Sequence, residues 1–456
     1  MHIRRRWLVL SAVLALAGVG CGAADETDPI TAGGGNGGGG VGGHIPGPEL
    51  DLWSPPGTED GVAFAWGVQT GDAGPWDALV SVRTLEPSLS LTVMKGMLDG
   101  WTEAAVLHDL TPLDGVLQLP LDNLTPDTTY SLAFFAADGQ RRSRAARLRT
   151  AVPAGFSRII RFGATSGLGG NDPWPNLSHA AAERLDFFMP VGDTIYADWG
   201  APVGFVEKWK GALSTLGLND LTASTSMAAT WDDHEVEDNW SYNTPGMEAK
   251  AQEAMAAYRQ AIPQRLGPGG TGVWRKLSWG DGMDLFILDC RGERRDGNYI
   301  SPEQMAWLKE GLASSTARFK VINNSVPIID FTEFVGDLWA EDRWQGYPQQ
   351  RSEILQHIAD QGIAGVLWVS GDFHIGGVGL IDEAGGPASD QWEVLTGPSG
   401  SPINPGAGMM NPNERFPVIV KTWSYTLFTA DPESGTVTVQ FIGDDSAVID
   451  EITLQL

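Results

Sequence analysis

Three apolar runs in this chain stop at clusters of carboxylates, and no other feature narrows the fold as far. The run "LDFFMPV" (185–191) leads into "GDTIYAD" (192–198). "MAATW" (227–231) leads into "DDHE" (232–235). "VLWVS" (366–370) leads into "GDFH" (371–374). Short, near-continuous apolar runs read as strands covered on both faces. Between residues 154 and about 390 such runs alternate with helical patterns, expected near 179–185, 205–216, 248–262, 302–314 and 350–361. This alternation predicts an α/β body, and after Gln391 the chain returns to strands such as "YTLFTAD" and "TVTVQFIG". In open α/β sheets, ligands bind beyond the carboxyl ends of the strands. The three acidic tips therefore point to one shared site.

Like charges crowded at a buried strand end repel one another and lose solvation. A cation among them reverses that penalty. Asp193, Asp232, Asp233 and Asp372 offer hard oxygen ligands, Tyr196 a phenolate, and His234 and His374 imidazoles. This oxygen and nitrogen set suits Fe, Mn, Zn or Ca. Two ions sharing one carboxylate would clamp a phosphoryl group and activate water. The formal charge of −27 argues against a nucleic-acid binding module and repels free phosphate esters at long range, so phosphate chemistry here needs local positive charge.

The remainder of the chain divides into three parts. Residues 1–21 carry Arg4, Arg5 and Arg6, then a 14-residue apolar stretch, then Cys21. That is the layout of an export signal. It resembles a bacterial lipoprotein signal with Cys21 as the lipidated residue, although Gly18 stands where an aliphatic residue is usual. Arg5-Arg6-Trp7-Leu8 also resembles a twin-arginine signal. The expected location is the periplasm or cell envelope through an amino-terminal lipid anchor, or secretion if the protein is cut nearby. Residues 22–48 form a glycine-rich flexible linker. Residues 49–153 read as short strands separated by turns, and Tyr130 after "LDNLTPD" is placed like a tyrosine corner. These features predict an immunoglobulin- or fibronectin-III-like β-sandwich that packs or spaces. Cys290, the second of two cysteines, is expected to be a buried free thiol.

"GDTIYAD", "WDDHE" and "SGDFH" together resemble the PhoD-like alkaline phosphatases, relatives of the calcineurin-like and purple acid phosphatases. "FILDCRGER", "SPEQMAWLKEGLASS", "FKVINNSVPI" and "DRWQGYPQQR" agree in order and spacing. The resemblance implies two stacked mixed sheets flanked by helices over residues 154–456. It also implies hydrolysis of phosphate mono- or diesters with Ca and Fe. In this comparison Asp193 bridges the metals and Tyr196 binds one of them. Asp233, with Asp232 beside it, takes a ligand position, His234 touches the leaving group or phosphate, and Asp372 and His374 complete the set. Arg291 is either a bidentate phosphate donor or an ion pair holding its loop. Asn323 or Asn324 is either a ligand or neighbouring group, or a turn cap. The resemblance departs at "FGATSGLGGNDPWP", where Thr165, Ser166 or Gly167 replaces a cysteine ligand. That loss weakens a trivalent iron site and favours Ca, Mn or Zn. It also keeps open a rival reading, a non-catalytic surface protein that binds phosphorylated or glycan ligands. Trp174, Trp199, Trp240 and Trp344 lie near the motifs, as packing or as a cleft lining.

Overall fold

The structure is a computed structural model that describes residues 50–170, 172–200, 202–270, 272–331 and 340–456. The expected signal, Cys21 and the glycine-rich linker lie outside the described residues. The amino-terminal strands are β1 (Thr58–Glu59), β2 (Val68–Gly71), β3 (Ala78–Arg83), β4 (Leu89–Met97), β5 (Gly100–Leu110), β6 (Val116–Leu121), β7 (Thr129–Ala136), β8 (Arg141–Arg142) and β9 (Ala146–Arg149). One sheet runs β1-β8-β7-β4-β5 with β9 against β7; the other runs β2-β3-β6. Successive strand residues point to opposite faces, so Leu89, Leu91 and Val93 of β4 turn into a core shared with Val80, Leu132 and Phe134. The Tyr130 hydroxyl accepts a hydrogen bond from the Thr125 amide at 2.8 Å, pinning the turn that feeds β7.

The larger body contains β10 (Ile160–Thr165), β11 (Phe187–Pro190), β12 (Arg275–Trp279), β13 (Met283–Ile287), β14 (Phe319–Asn324), β15 (Val366–Ser370), β16 (Gly376–Leu380), β17 (Trp392–Leu395), β18 (Val418–Val420), β19 (Ser424–Asp431), β20 (Thr436–Gly443) and β21 (Val448–Gln455). Its helices are α1 (Pro175–Ala182), α2 (Phe205–Ser214), α3 (Leu216–Ser224), α4 (Met247–Ala261), α5 (Pro302–Ser314) and α6 (Pro348–Asp360). A five-stranded sheet, β11-β10-β19-β20-β21, faces a seven-stranded one, β12-β13-β14-β15-β17-β16-β18. Strands β13, β14, β15 and β17 are parallel, as are β10 and β11.

The alternation within each strand builds the layers. Met283, Leu285 and Ile287 of β13 meet Phe162, Phe428 and Val439 between the two sheets. Phe286 points the other way, onto Met305 and Leu308 of α5. Phe188 and Leu427 pack outward among residues of α1 to α4. Two sheets between two helical layers result, with each fully buried large apolar side chain contributing about 1.5–3 kcal/mol.

Three expectations shift. "MAATW" is not a strand: Met227 makes isolated bridges to Gly71 and Phe188, and Thr230 one to Val191. The segment lies between strands of two different sheets and pairs briefly with each, so no continuous ladder forms. The single helix expected at 205–216 is two helices, because Thr215 is extended (φ −73°, ψ 135°). The first helix starts at Pro175, four residues earlier than expected.

Buried ion pairs join the amino-terminal sheets to the body. Asp72 takes two 2.7 Å hydrogen bonds from Arg275. Arg158 reaches both Asp127 and Asp186 at 2.7 Å. Burial pushes the Asp186 carboxyl up, but the charge and hydrogen bonds of Arg158 overcome it and hold the group below the usual carboxylate range.

Candidate functional site

All the acidic tips lie at the carboxyl ends of parallel segments. β11 delivers Asp193, the bridged segment after Thr230 delivers Asp232 and Asp233, β13 delivers Arg291, and β15 delivers Asp372 and His374. Gly192 lets two of these loops touch: its φ is +88°, and a Cβ there would lie 2.3 Å from the Asp232 Cβ. Asp193 (φ 55°), Asp372 (φ 58°) and His374 (φ 54°) are left-handed non-glycine residues. Each such conformation costs of order 1–3 kcal/mol and persists only where the surroundings enforce it.

Glu235 supplies much of that enforcement. Its buried carboxylate accepts the amides of Thr194 (2.6 Å), Asp232 (2.9 Å) and Asp193 (3.1 Å). One side chain thus ties the first motif to the second. Burial, then the charge of Asp193, pushes its carboxyl up to about 8.

The cavity has a volume of ≈ 240 Å³. Asp193, Asp233, His234, Asp372 and His374 line it, with Asp342, Arg343, Asn239 and Asn404. Candidate ligand atoms of Asp193, Asp233 and His234 lie within 4.8 Å of one another, as do those of Asp232, Asp233 and Asp372. The residue common to both groups is Asp233, whereas the motif comparison expected Asp193 to bridge. Tyr196 donates to Asp193 Oδ2 at 3.2 Å and lies 3.0 Å from His374 Nε2. It also bonds the Ser401 hydroxyl.

The electrostatics are those of a cation site. Burial, reinforced by Asp232 and Asp342, holds the Asp372 carboxyl far above its ordinary range. Asp232 is also raised, by burial against the opposing Arg291. Asp233 goes the other way: burial would raise it, but Arg291 and His234 pull it down. The Asp193 Oδ1 is buried with no hydrogen-bond partner among the described residues. These crowded carboxylates, with one unused inward oxygen, fit a divalent cation. The donors are oxygen and nitrogen only. At the place of the missing cysteine, Thr165 bonds Ser399 at 2.6 Å and the Ser166 hydroxyl meets Thr396 at 3.4 Å. Cys290 is buried, and its thiol contacts Asn324 Oδ1 at 3.1 Å.

His234 is held by a residue that sequence reasoning missed. Asp198 accepts its Nδ1–H at 2.9 Å, which turns Nε2 to the cavity. The imidazole stacks on Tyr196 with ring centroids 4.1 Å apart. Burial alone would lower the imidazole pKa, but the Asp198 hydrogen bond and the charges of Asp193 and Asp233 push it up to about 10.

Arg291 takes the ion-pair role. Fully buried, it bonds Asp232 Oδ1 (2.7 Å), Asp372 Oδ1 (3.3 Å) and Asp342. Neither asparagine of β14 lines the cavity. Asn323 turns inward and donates to the Ala228 carbonyl at 3.2 Å, and Asn324 turns outward to accept from Trp344 Nε1 at 3.0 Å. Adjacent strand residues face opposite ways, and neither direction is along the strand to its tip. Trp174, Trp240 and Trp344 are packed inside, while Trp199 is 41% exposed against Tyr196 and His234. Asp342 and Arg343 enter the site on a distant turn with no apolar run before it, although both lie in the quoted "DRWQGYPQQR". Asp198 and Glu235 likewise lie inside quoted motifs.

A model of the PhoD-like phosphatases matches residues 203–447. Alkaline phosphatase D of Bacillus subtilis (strain 168) is 27% identical over 246 residues, 43% of this chain and 42% of that protein. The alignment therefore spans less than half of that relative's length. Among solved structures, one of PhoD superposes with a TM-score of 0.72 at 19% identity, covering 89% of this chain and 90% of that one. Purple acid phosphatase PPD1 from yellow lupin (Lupinus luteus) seeds gives 0.61 at 14% identity, covering 85% and 73%.

Proposed function

Since the chain belongs to the PhoD-like phosphatase family, we propose that it hydrolyses phosphate mono- or diesters in this cavity with the help of bound metal ions. The single observation that supports this most is the pair of ligand groups sharing Asp233, assembled from three distant chain segments. Asp193, Tyr196, Asp232, Asp233, Asp372 and His374 would hold two or more cations. Calcium, manganese, zinc or iron all suit these donors. When bound, such ions supply charge neutralisation for the phosphoryl oxygens and a lowered pKa for the attacking water.

The chain's own groups do the rest. Asp198 aims His234 and favours its protonated form, so that Nε2–H can hydrogen-bond a phosphoryl or leaving-group oxygen and donate its proton as the ester bond breaks. Glu235 keeps the first two motif loops in register. Arg291 balances the charge of Asp232, Asp342 and Asp372 beneath the cavity floor. Phe373 gives the cavity an apolar wall, which limits competing water.

The same proposal includes a β-sandwich unit ahead of residue 154 and export, with Cys21 as a lipid attachment point. Arg4–Arg6 and the apolar stretch before Cys21 support the latter. The test is hydrolysis of p-nitrophenyl phosphate and of its bis-ester by purified protein, together with elemental analysis. Turnover should vanish with a chelator and in Asp193→Asn. A protein that purifies without metal and stays inert after addition of Fe, Ca, Mn or Zn would refute the assignment.

A further inference from the structure

The cavity wall holds many acidic groups for a site that must admit a phosphate. Asp193, Asp233, Asp238, Asp342 and Asp372 all line it. Besides His234, the positive charge near a substrate from the protein itself comes from two arginines. Arg291 lies beneath, fully buried and outside the cavity lining, where it bonds Asp232, Asp342 and Asp372. Arg343 lines the cavity directly and is 4% exposed. A guanidinium stays charged even when buried and presents a planar fork matched to two phosphate oxygens.

The residues on either side of Arg343 are anchored. Asp342 accepts from Arg291 at 3.2 Å and from Arg294 at 2.7 Å, and its carbonyl takes a further bond from Arg294 at 3.1 Å. Trp344 is fully buried, donates its indole N–H to Asn324 at 3.0 Å and packs on Tyr299 at 4.5 Å. Between these two fixed points Arg343 is extended (φ −111°, ψ 167°), at the start of the short turn Trp344–Gly346. This arrangement fixes the backbone on both sides of a residue that lines the cavity. It also gives the buried Asn324 a purpose, since that amide holds Trp344.

Resting on the phosphoesterase reading, we infer that Arg343 is a phosphate-binding residue of this site, taking the non-bridging oxygens of the substrate alongside His234. Arg291, by contrast, is the fixed counter-ion below. The turn that places Arg343 is thus a specificity element for a phosphoryl group, and it is separate from the metal ligands.

The test is binding of inorganic phosphate by calorimetry to the purified metal-containing protein, alongside KM and kcat for p-nitrophenyl phosphate. Arg343→Ala should weaken phosphate binding by about 10- to 100-fold, the worth of one or two charge-assisted hydrogen bonds. KM should rise in parallel, with metal content unchanged. Arg343→Lys should recover part of the affinity, which also guards against misfolding of the alanine variant. A wild type that turns over substrate, with both variants binding phosphate as tightly, overturns the assignment of Arg343 alone. A wild type that neither binds phosphate nor turns over ester overturns the phosphoesterase reading and this inference with it.

Discussion

Adding one methyl group to Gly192 should separate the first two motif loops. The new Cβ would lie 2.3 Å from the Asp232 Cβ and 2.9 Å from its amide nitrogen, where backbone and not a flexible tip blocks the way. The φ of +88° adds a second penalty, because side chains rarely tolerate it. Left-handed strain costs about 1–3 kcal/mol, and overpacking a filled site costs a further 1–3 or so. Gly192→Ala should therefore lose about 2–6 kcal/mol and pull Asp193 away from Asp233. Urea unfolding monitored by tryptophan fluorescence, with metal content on the same samples, measures both effects. Gly211→Ala is the internal control: Gly211 lies inside α2 with nothing within 4 Å of the added methyl. The identical chemical change there should stabilise by about 0.4–1 kcal/mol. Should Gly192→Ala unfold within about 1 kcal/mol of wild type and keep its metal, the close-contact account of the loops is refuted.

Asp198→Asn should lower kcat by roughly 10- to 100-fold with metal content intact, because His234 loses the partner that aims and charges it; a steady-state assay against elemental analysis checks this. Asp186→Asn tests the join between the amino-terminal sheets and the body. The Asp186 carboxyl is depressed in the fold, so its contribution is present above the ordinary carboxylate pKa and is lost as pH falls through the depressed value. Wild type should lose urea resistance on acidification below about pH 4, and the variant should start lower at pH 7 and change less.

Much of the fold and part of the site can be seen in the primary structure, because both rest on patterns local to the chain. Apolar runs of strand length announce β11 and β15, and each carries its acidic tip in the next few residues. Asp193, Asp372 and His374 reach the cavity for that reason, and Asp233 and His234 reach it behind an apolar run that forms bridges in place of a strand. The helix expected at 302–314 matches α5, where Pro302 opens the helix and the Ser301 hydroxyl caps it by accepting from Gln304. Such signals need no distant partner to be visible.

Other roles exist only once the chain has folded. Arg291 follows β13 much as Asp372 follows β15, yet it becomes a buried counter-ion because Asp232 and Asp342 arrive from segments 59 and 51 residues away. Asn323 and Asn324 look interchangeable in sequence, and only the facing of β14 decides which holds Ala228 and which holds Trp344. Met227–Trp231 has the composition of a strand but serves as a bridge: it bonds along the edge of β11 through Ser226, Ala228 and Thr230, while Met227 also pairs with Gly71 of the other sheet. Composition and periodicity specify which residues must be buried and which can be charged at a strand tip. Which charge faces which depends on contacts between residues far apart in the chain, and only packing selects those.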